Sequence, residues 1–100
     1  MIEYLKEYNI TEETIEELKK LYYEELIDML SVNQFAVRKV IEYLKNLGIK
    51  DFNQIILHNL PIFLADYDYI VECFEKVDDL KKTINMINED YMYIHEVIEY

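Results

Sequence analysis

The sequence predicts an all-α fold: short three-helix repeats in a compact α-solenoid or bundle of seven or eight helices. Three observations carry that expectation. The 100 residues include one glycine and one proline, which leaves little room for hairpins or Gly-rich phosphate loops. Apolar residues recur at spacings of three and four along most of the chain, the mark of amphipathic helices. The breaks in that spacing fall on helix stops and starts, most clearly over residues 43–77, where Gly48 ends one helix, Asp51 caps the next, Pro61 opens a short third and Asp66 caps a fourth.

The elements follow in order. Ile2, Leu5 and Tyr8 share one face of a short first helix that leaves through Asn9-Ile10, since asparagine tolerates the left-handed conformation better than most residues. Thr11 with Glu12 and Glu13 caps a helix over about residues 12–21, carrying Ile15, Leu18 and Tyr22, with Lys19 and Lys20 at its C-terminal end. Tyr22-Tyr23 is a corner, and Leu26, Ile27 and Leu30 form a short apolar helix after it. Ser31 and Gln34 read as a capping box opening a longer helix whose apolar stripe is Phe35, Val37, Val40, Ile41, Leu44 and Leu47. Breaks are expected at Leu60-Pro61 and near Asp66. Ile70, Val71, Phe74 and Val77 mark the helix that follows. Asp78 or Asp79 caps a helix through Leu80, Ile84 and Ile87, and Tyr91 to Tyr100 makes a final amphipathic helix. Roughly 70–75 helical residues result, more than twice the usual fraction. The expected core is Leu18, Leu26, Val40, Ile41, Leu44, Leu47, Ile55, Ile56, Phe63, Leu64, Ile70 and Phe74.

One hundred residues make one domain, 1–100, large enough to bury about 60–65% of its unfolded surface without staples. The single Cys73 cannot form an internal bridge and reads as a small buried hydrophobe. No apolar run approaches the ~20 residues of a membrane span, and the first residues, Met-Ile-Glu, do not resemble a signal peptide. A cytoplasmic protein is expected. The 21 acidic and 10 basic residues give a net charge of -11, which repels phosphate backbones. Residues 51–75 contain five acids and no Lys or Arg, and the only basic segment holds Arg38, Lys39, Lys45 and Lys50.

Sliding the chain on itself by 39 residues sets Leu5 on Leu44, Asn9 on Gly48 and Ile10 on Ile49, and aligns the helices capped by Thr11 and Asp51. Such a period is typical of an α-solenoid, with repeat units at about 5–43 and 44–77 and a C-terminal helical cap at 78–100. Leu44, Leu47-Gly48-Ile49, Ile55-Ile56, Asn59-Leu60-Pro61 and Phe63-Leu64 resemble one repeat of the mitochondrial transcription termination factor (mTERF) family. The resemblance implies a curved superhelix of three-helix repeats whose basic concave face binds double-stranded nucleic acid, here through Arg38, Lys39, Lys45 and Lys50. Three features depart from the family: Tyr23 stands for the expected proline and Asn9 for the glycine, only two units fit, and most of the chain has the wrong charge for nucleic acid.

No residue set specifies a reaction. His58 and His95 are isolated, and His95 with Glu99 one turn later reads as a surface pair rather than a metal site; the only serine, Ser31, is assigned to a cap. Glu12, Glu13, Glu16 and Glu17 form a solvated face. Neither enzymatic activity nor a cofactor or metal is expected. Ten tyrosines are the most unusual feature, readable as core-edge packing or as an interface, where side chains both apolar and wet are favoured. Two function classes remain. In the first, an acidic surface of Asp66, Tyr67, Asp68, Tyr69, Glu72 and Glu75 docks a basic protein partner, a special case being a DNA mimic that blocks a nucleic-acid-binding protein. In the second, the Arg38–Lys50 patch binds nucleic acid. Net charge favours the first.

Overall fold

Side-chain caps decide where most of the helices begin. In the computed structural model, which describes residues 1–99, Thr11 accepts from the Thr14 amide, Asp51 from Gln54, Asp66 from Asp68, Asp79 from Lys82 and Asp90 from Met92. Nine helical segments result among the described residues: the 3-10 helix η1 (Glu3–Tyr8), α1 (Glu12–Leu21), α2 (Glu24–Val32), α3 (Gln34–Leu47), α4 (Phe52–His58), α5 (Leu60–Phe63), α6 (Tyr67–Glu75), α7 (Leu80–Glu89) and the 3-10 helix η2 (Tyr91–Glu96). No strand occurs among these residues. Nor is any helix among them long and apolar enough to cross a membrane.

Two rows of helices form the body. α1 packs on α4 and α4 on η2, which α7 also covers; α2 packs on α3 and α3 on α6, while α5 touches both α3 and α4. The core between them holds Leu5, Leu18, Val40, Ile41, Leu44, Ile55, Ile56, Phe63, Ile70 and Phe74. The Cα radius of gyration is 12.9 Å, that of a single compact domain of about this length.

Two left-handed corners hold the rows together. Asn9 has φ 64° and Gly48 φ 104°, and the residue after each, Ile10 and Ile49, is buried. At the first corner the Asn53 amide donates to the Asn9 carbonyl (3.2 Å) and accepts from the Thr11 amide (2.9 Å). At the second, Asn88 donates to the Gly48 carbonyl (2.9 Å) and accepts from the Lys50 amide (3.1 Å). The same two-point clamp thus closes both corners, with α4 reaching back to the loop before α1 and α7 to the loop before α4.

Several expectations are corrected. Phe35 is 79% exposed: on α3 it stands about 170° from the centre of the buried stripe Val37, Val40, Ile41 and Leu44. Ser31 caps nothing. α2 runs through it to Val32 because Leu30 is pulled into the core, and Asn33 divides α2 from α3 with no side-chain cap. α5 starts at Leu60, so the break is at Asn59, one residue before the expected Leu60-Pro61. Leu26, Leu47 and Leu64 are half-buried at the core edge. The terminal helix is a 3-10 turn ending at Glu96, and its expected end, Tyr100, lies outside the described residues.

Truncating Leu44 or Phe63, both almost wholly buried, to Ala is expected to cost about 2–5 kcal/mol through lost burial and the cavity left. Urea denaturation checks it, and a loss under about half a kcal/mol would remove that residue from the core. In the same urea titration Asn53→Asp is expected to cost about 0.5–1.5 kcal/mol, less than Asn53→Ala, because the carboxylate keeps the acceptor for Thr11 and loses only the donor for Asn9.

Candidate functional site

The acidic helix α6 begins at Asp66, whose carboxylate is committed to the Asp68 amide at 3.2 Å. Beyond it Asp68, Glu72 and Glu75 fall within about 60° of one another around the helix, opposite the buried Ile70 and Phe74. All three are exposed. Glu72 is paired with Lys76 at 3.1 Å, while Asp66, Asp68 and Glu75 have no ion pair among the described residues.

The two tyrosines of this segment are engaged by the fold. Tyr67 meets the Tyr43 ring edge-on at 5.9 Å, and Lys39 Nζ lies 4.4 Å from its centroid. Tyr69 donates its hydroxyl to the Glu99 carbonyl at 2.6 Å. Burial, and after it the nearby Glu75 charge, push the Tyr43 phenol up from its ordinary value. Other tyrosines tie distant segments in the same manner: Tyr4 to the Leu30 carbonyl (2.7 Å), Tyr8 to Glu42 (2.9 Å) and Tyr22 to the Leu57 carbonyl (2.7 Å).

Sequence reasoning missed the apolar component of this surface. Phe35, exposed at the start of α3, borders a groove of about 410 Å³ shared with Ala36, Lys39, Leu64, Asp66 and Tyr67. The groove runs from α3 to the α5–α6 corner and meets the acidic edge at Asp66. Its signal was available in Phe35's own spacing, which is out of phase with the rest of the stripe.

The basic residues do not form one patch. Arg38 bonds Glu7 through both terminal nitrogens (2.9 and 2.8 Å), reaches the Tyr8 hydroxyl (3.3 Å) and lies over the Tyr4 ring (5.0 Å). The guanidinium holds the Glu7 carboxyl below the usual carboxylate range, and Glu7 in turn keeps Arg38 charged. Lys39 turns to α6, whereas Lys45 and Lys50 flank the Gly48 corner at the far end of α3. Lys50 is joined there by Lys81 of α7, a neighbour more than thirty residues away in sequence.

His58 stacks on Tyr91 at 5.1 Å, and Cys73 is half-buried on α6. No group of three or more His, Cys, Asp or Glu among the described residues is placed to hold a metal ion. No protein-family model matches the chain, and no characterised protein or solved structure is significantly similar to it.

The phenol of Tyr4 is pushed far up by burial, against the lowering effect of Arg38. A raised value means that the neutral phenol is favoured in the fold. Its stabilisation is therefore complete below tyrosine's ordinary value near 10 and is lost as pH rises toward the folded value. Urea midpoints measured from pH 8 to about 11 should fall with pH, and Tyr4→Phe should flatten that slope while costing about 1–2 kcal/mol at pH 8 through the lost bond to Leu30.

Proposed function

We propose that the protein is a small interaction module that binds a basic segment of a protein partner. An apolar side chain of that segment seats beside Phe35 in the groove between α3 and the α5–α6 corner. Its cations lie along Asp66, Asp68, Glu72 and Glu75, with Tyr67 and Tyr69 as the aromatic border. The observation that carries this reading is the juxtaposition, across one groove, of a 79% exposed Phe35 with Asp66, the first acid of the exposed α6 edge. An isolated acidic face would need no explanation beyond solubility, and an isolated exposed phenylalanine would be unexceptional. Together they match the two halves of a basic amphipathic ligand. Nucleic-acid-binding proteins form one class of partner, since their cationic surfaces would be occluded by such a face.

The alternative is an mTERF-like helical repeat, units 5–43 and 44–77 with a cap at 78–100, gripping nucleic acid through Arg38, Lys39, Lys45 and Lys50. The paired corners and the stacking of α1 on α4 and α3 on α6 support the repeat. The engagement of Arg38 by Glu7 weighs against the patch, because phosphate contact would require breaking that pair.

The test is fluorescence anisotropy with a labelled helical peptide of Lys and Leu at amphipathic spacing, and with a labelled DNA duplex. The peptide should bind, more weakly as salt rises. Phe35→Ser, and separately Asp68→Lys with Glu72→Lys, should each weaken it by about tenfold or more. Reversing Glu13 and Glu17 on α1 should change it little. Equal losses from the α1 and α6 reversals would reduce the binding to net charge and sink the proposal. Duplex binding that Arg38→Ala with Lys45→Ala abolishes, and that the α6 reversal strengthens, would establish the nucleic-acid reading instead.

A further inference from the structure

We infer a second interaction, between copies of this chain: the acidic, apolar outer stripe of α2 in one copy seats in a lysine-rimmed groove between the C-terminal end of α3 and α7 of the next. Glu25, Asp28, Met29 and Val32 stand at i, i+3, i+4 and i+7 of α2, one stripe covering about 100° of the helix. Val32 is 81% and Met29 44% exposed. Neither Glu25 nor Asp28 has an ion pair among the described residues.

The complementary groove encloses about 500 Å³. Leu47, Leu80 and Ile84 form its apolar floor, and Lys50 and Lys81 its edges. Acids outnumber bases 21 to 10 in this chain, and Lys6, Lys19, Lys20, Arg38 and Lys76 each have a carboxylate partner. Lys39, Lys45, Lys50, Lys81 and Lys82 have none among the described residues, and of these Lys50 and Lys81 share this groove. A groove with an apolar floor and two unpaired lysines fits a helix face that carries two apolar residues beside two unpaired carboxylates.

One copy cannot satisfy its own groove. α2 adjoins the N-terminal end of α3, and the groove lies at the other end of that 14-residue helix, about 20 Å away. Because donor and acceptor patches differ, the contact is head-to-tail and leaves one of each open at the ends of an assembly. The footprint is small, so the contact belongs to the weak class of interfaces.

The test is sedimentation equilibrium of the whole chain from about 10 μM to about 1 mM, near physiological salt, where long-range repulsion between acidic copies is screened. The wild-type mass should rise with concentration toward at least about twofold the monomer's. Lys50→Glu with Lys81→Glu should leave a monomer, and so should Glu25→Lys with Asp28→Lys. The second variant is less acidic than wild type, so net charge alone would promote its association, and only a specific contact predicts the loss. Mixing the two should restore association, since the intact stripe of the first variant meets the intact groove of the second and the two reversed patches are again opposite in charge. Circular dichroism should show both folded, as these side chains are exposed. A wild-type mass that stays monomeric, a variant that associates as wild type does, or a mixture that forms no complex would each overturn the inference.

Discussion

The asparagine clamp on each left-handed corner is the constraint on which the rest of the fold depends. A helix that exits through positive φ turns its chain sharply and leaves the corner's backbone groups outside any helix. Asn53 and Asn88 each satisfy one carbonyl and one amide there, fixing the loop at two points on a helix more than thirty residues away. Ile10 and Ile49 are thereby driven into the core. α4 is set against α1 and α7 against the second corner, and the two rows follow. Gly48, at φ 104°, is held by its backbone rather than by lack of space: a Cβ there would make ordinary contact with Ile84 at 3.5 Å, yet the conformation itself would be strained.

That arrangement divides the charged residues into two groups. Arg38 is drawn inward by Glu7, Tyr4 and Tyr8, where it ties η1 to α3. Lys39 covers Tyr67 and so helps fasten α6 to α3. These cations work within the fold, which is why a patch contiguous in sequence does not become one in space. Lys50 and Lys81, far apart in the chain, end at one groove instead. The acids of α6 and α2 remain outside because the opposite faces of those helices are held by Ile70, Phe74 and Leu30.

What was legible in the sequence was what local chemistry decides. Thr11, Asp51, Asp66 and Asp79 cap helices within three residues of themselves, and Gly48 ends one by its own conformational freedom. The helical periodicity likewise placed the α6 carboxylates on one exposed arc. What was not legible depends on partners distant in the chain. Ser31 has a cap pattern worth about 1 kcal/mol, which the burial of Leu30 overrides. The clamps by Asn53 and Asn88 leave no mark in the spacing of their neighbours. Tyr69 lies beside acids in sequence, but its hydroxyl is bound to a carbonyl thirty residues on. Of the candidate surface, the charged positions could be read and the apolar anchor could not, because Phe35 was assigned to a stripe from which its phase excludes it.

Short helices also determine where the molecule can yield. Helices of fewer than about 12 residues are marginal in water and persist through tertiary packing, so each segment is as secure as the contacts that hold it. α3 has four fully buried side chains along its length and α1 has the Thr11 cap with Ile15 and Leu18 beneath it. α2 has only Leu30 fully buried, no side-chain cap at its N-terminal end, and the Tyr4 hydroxyl on the Leu30 carbonyl as its long-range hydrogen bond to another helix. Few buried contacts and exposed backbone are the conditions under which an element opens at low free energy. The outer apolar stripe of α2 therefore belongs to the least anchored helix of the row α2, α3 and α6. A neighbour that covered Met29 and Val32 would add burial where the isolated chain has least of it, stabilising that helix more than the same contact would stabilise α3.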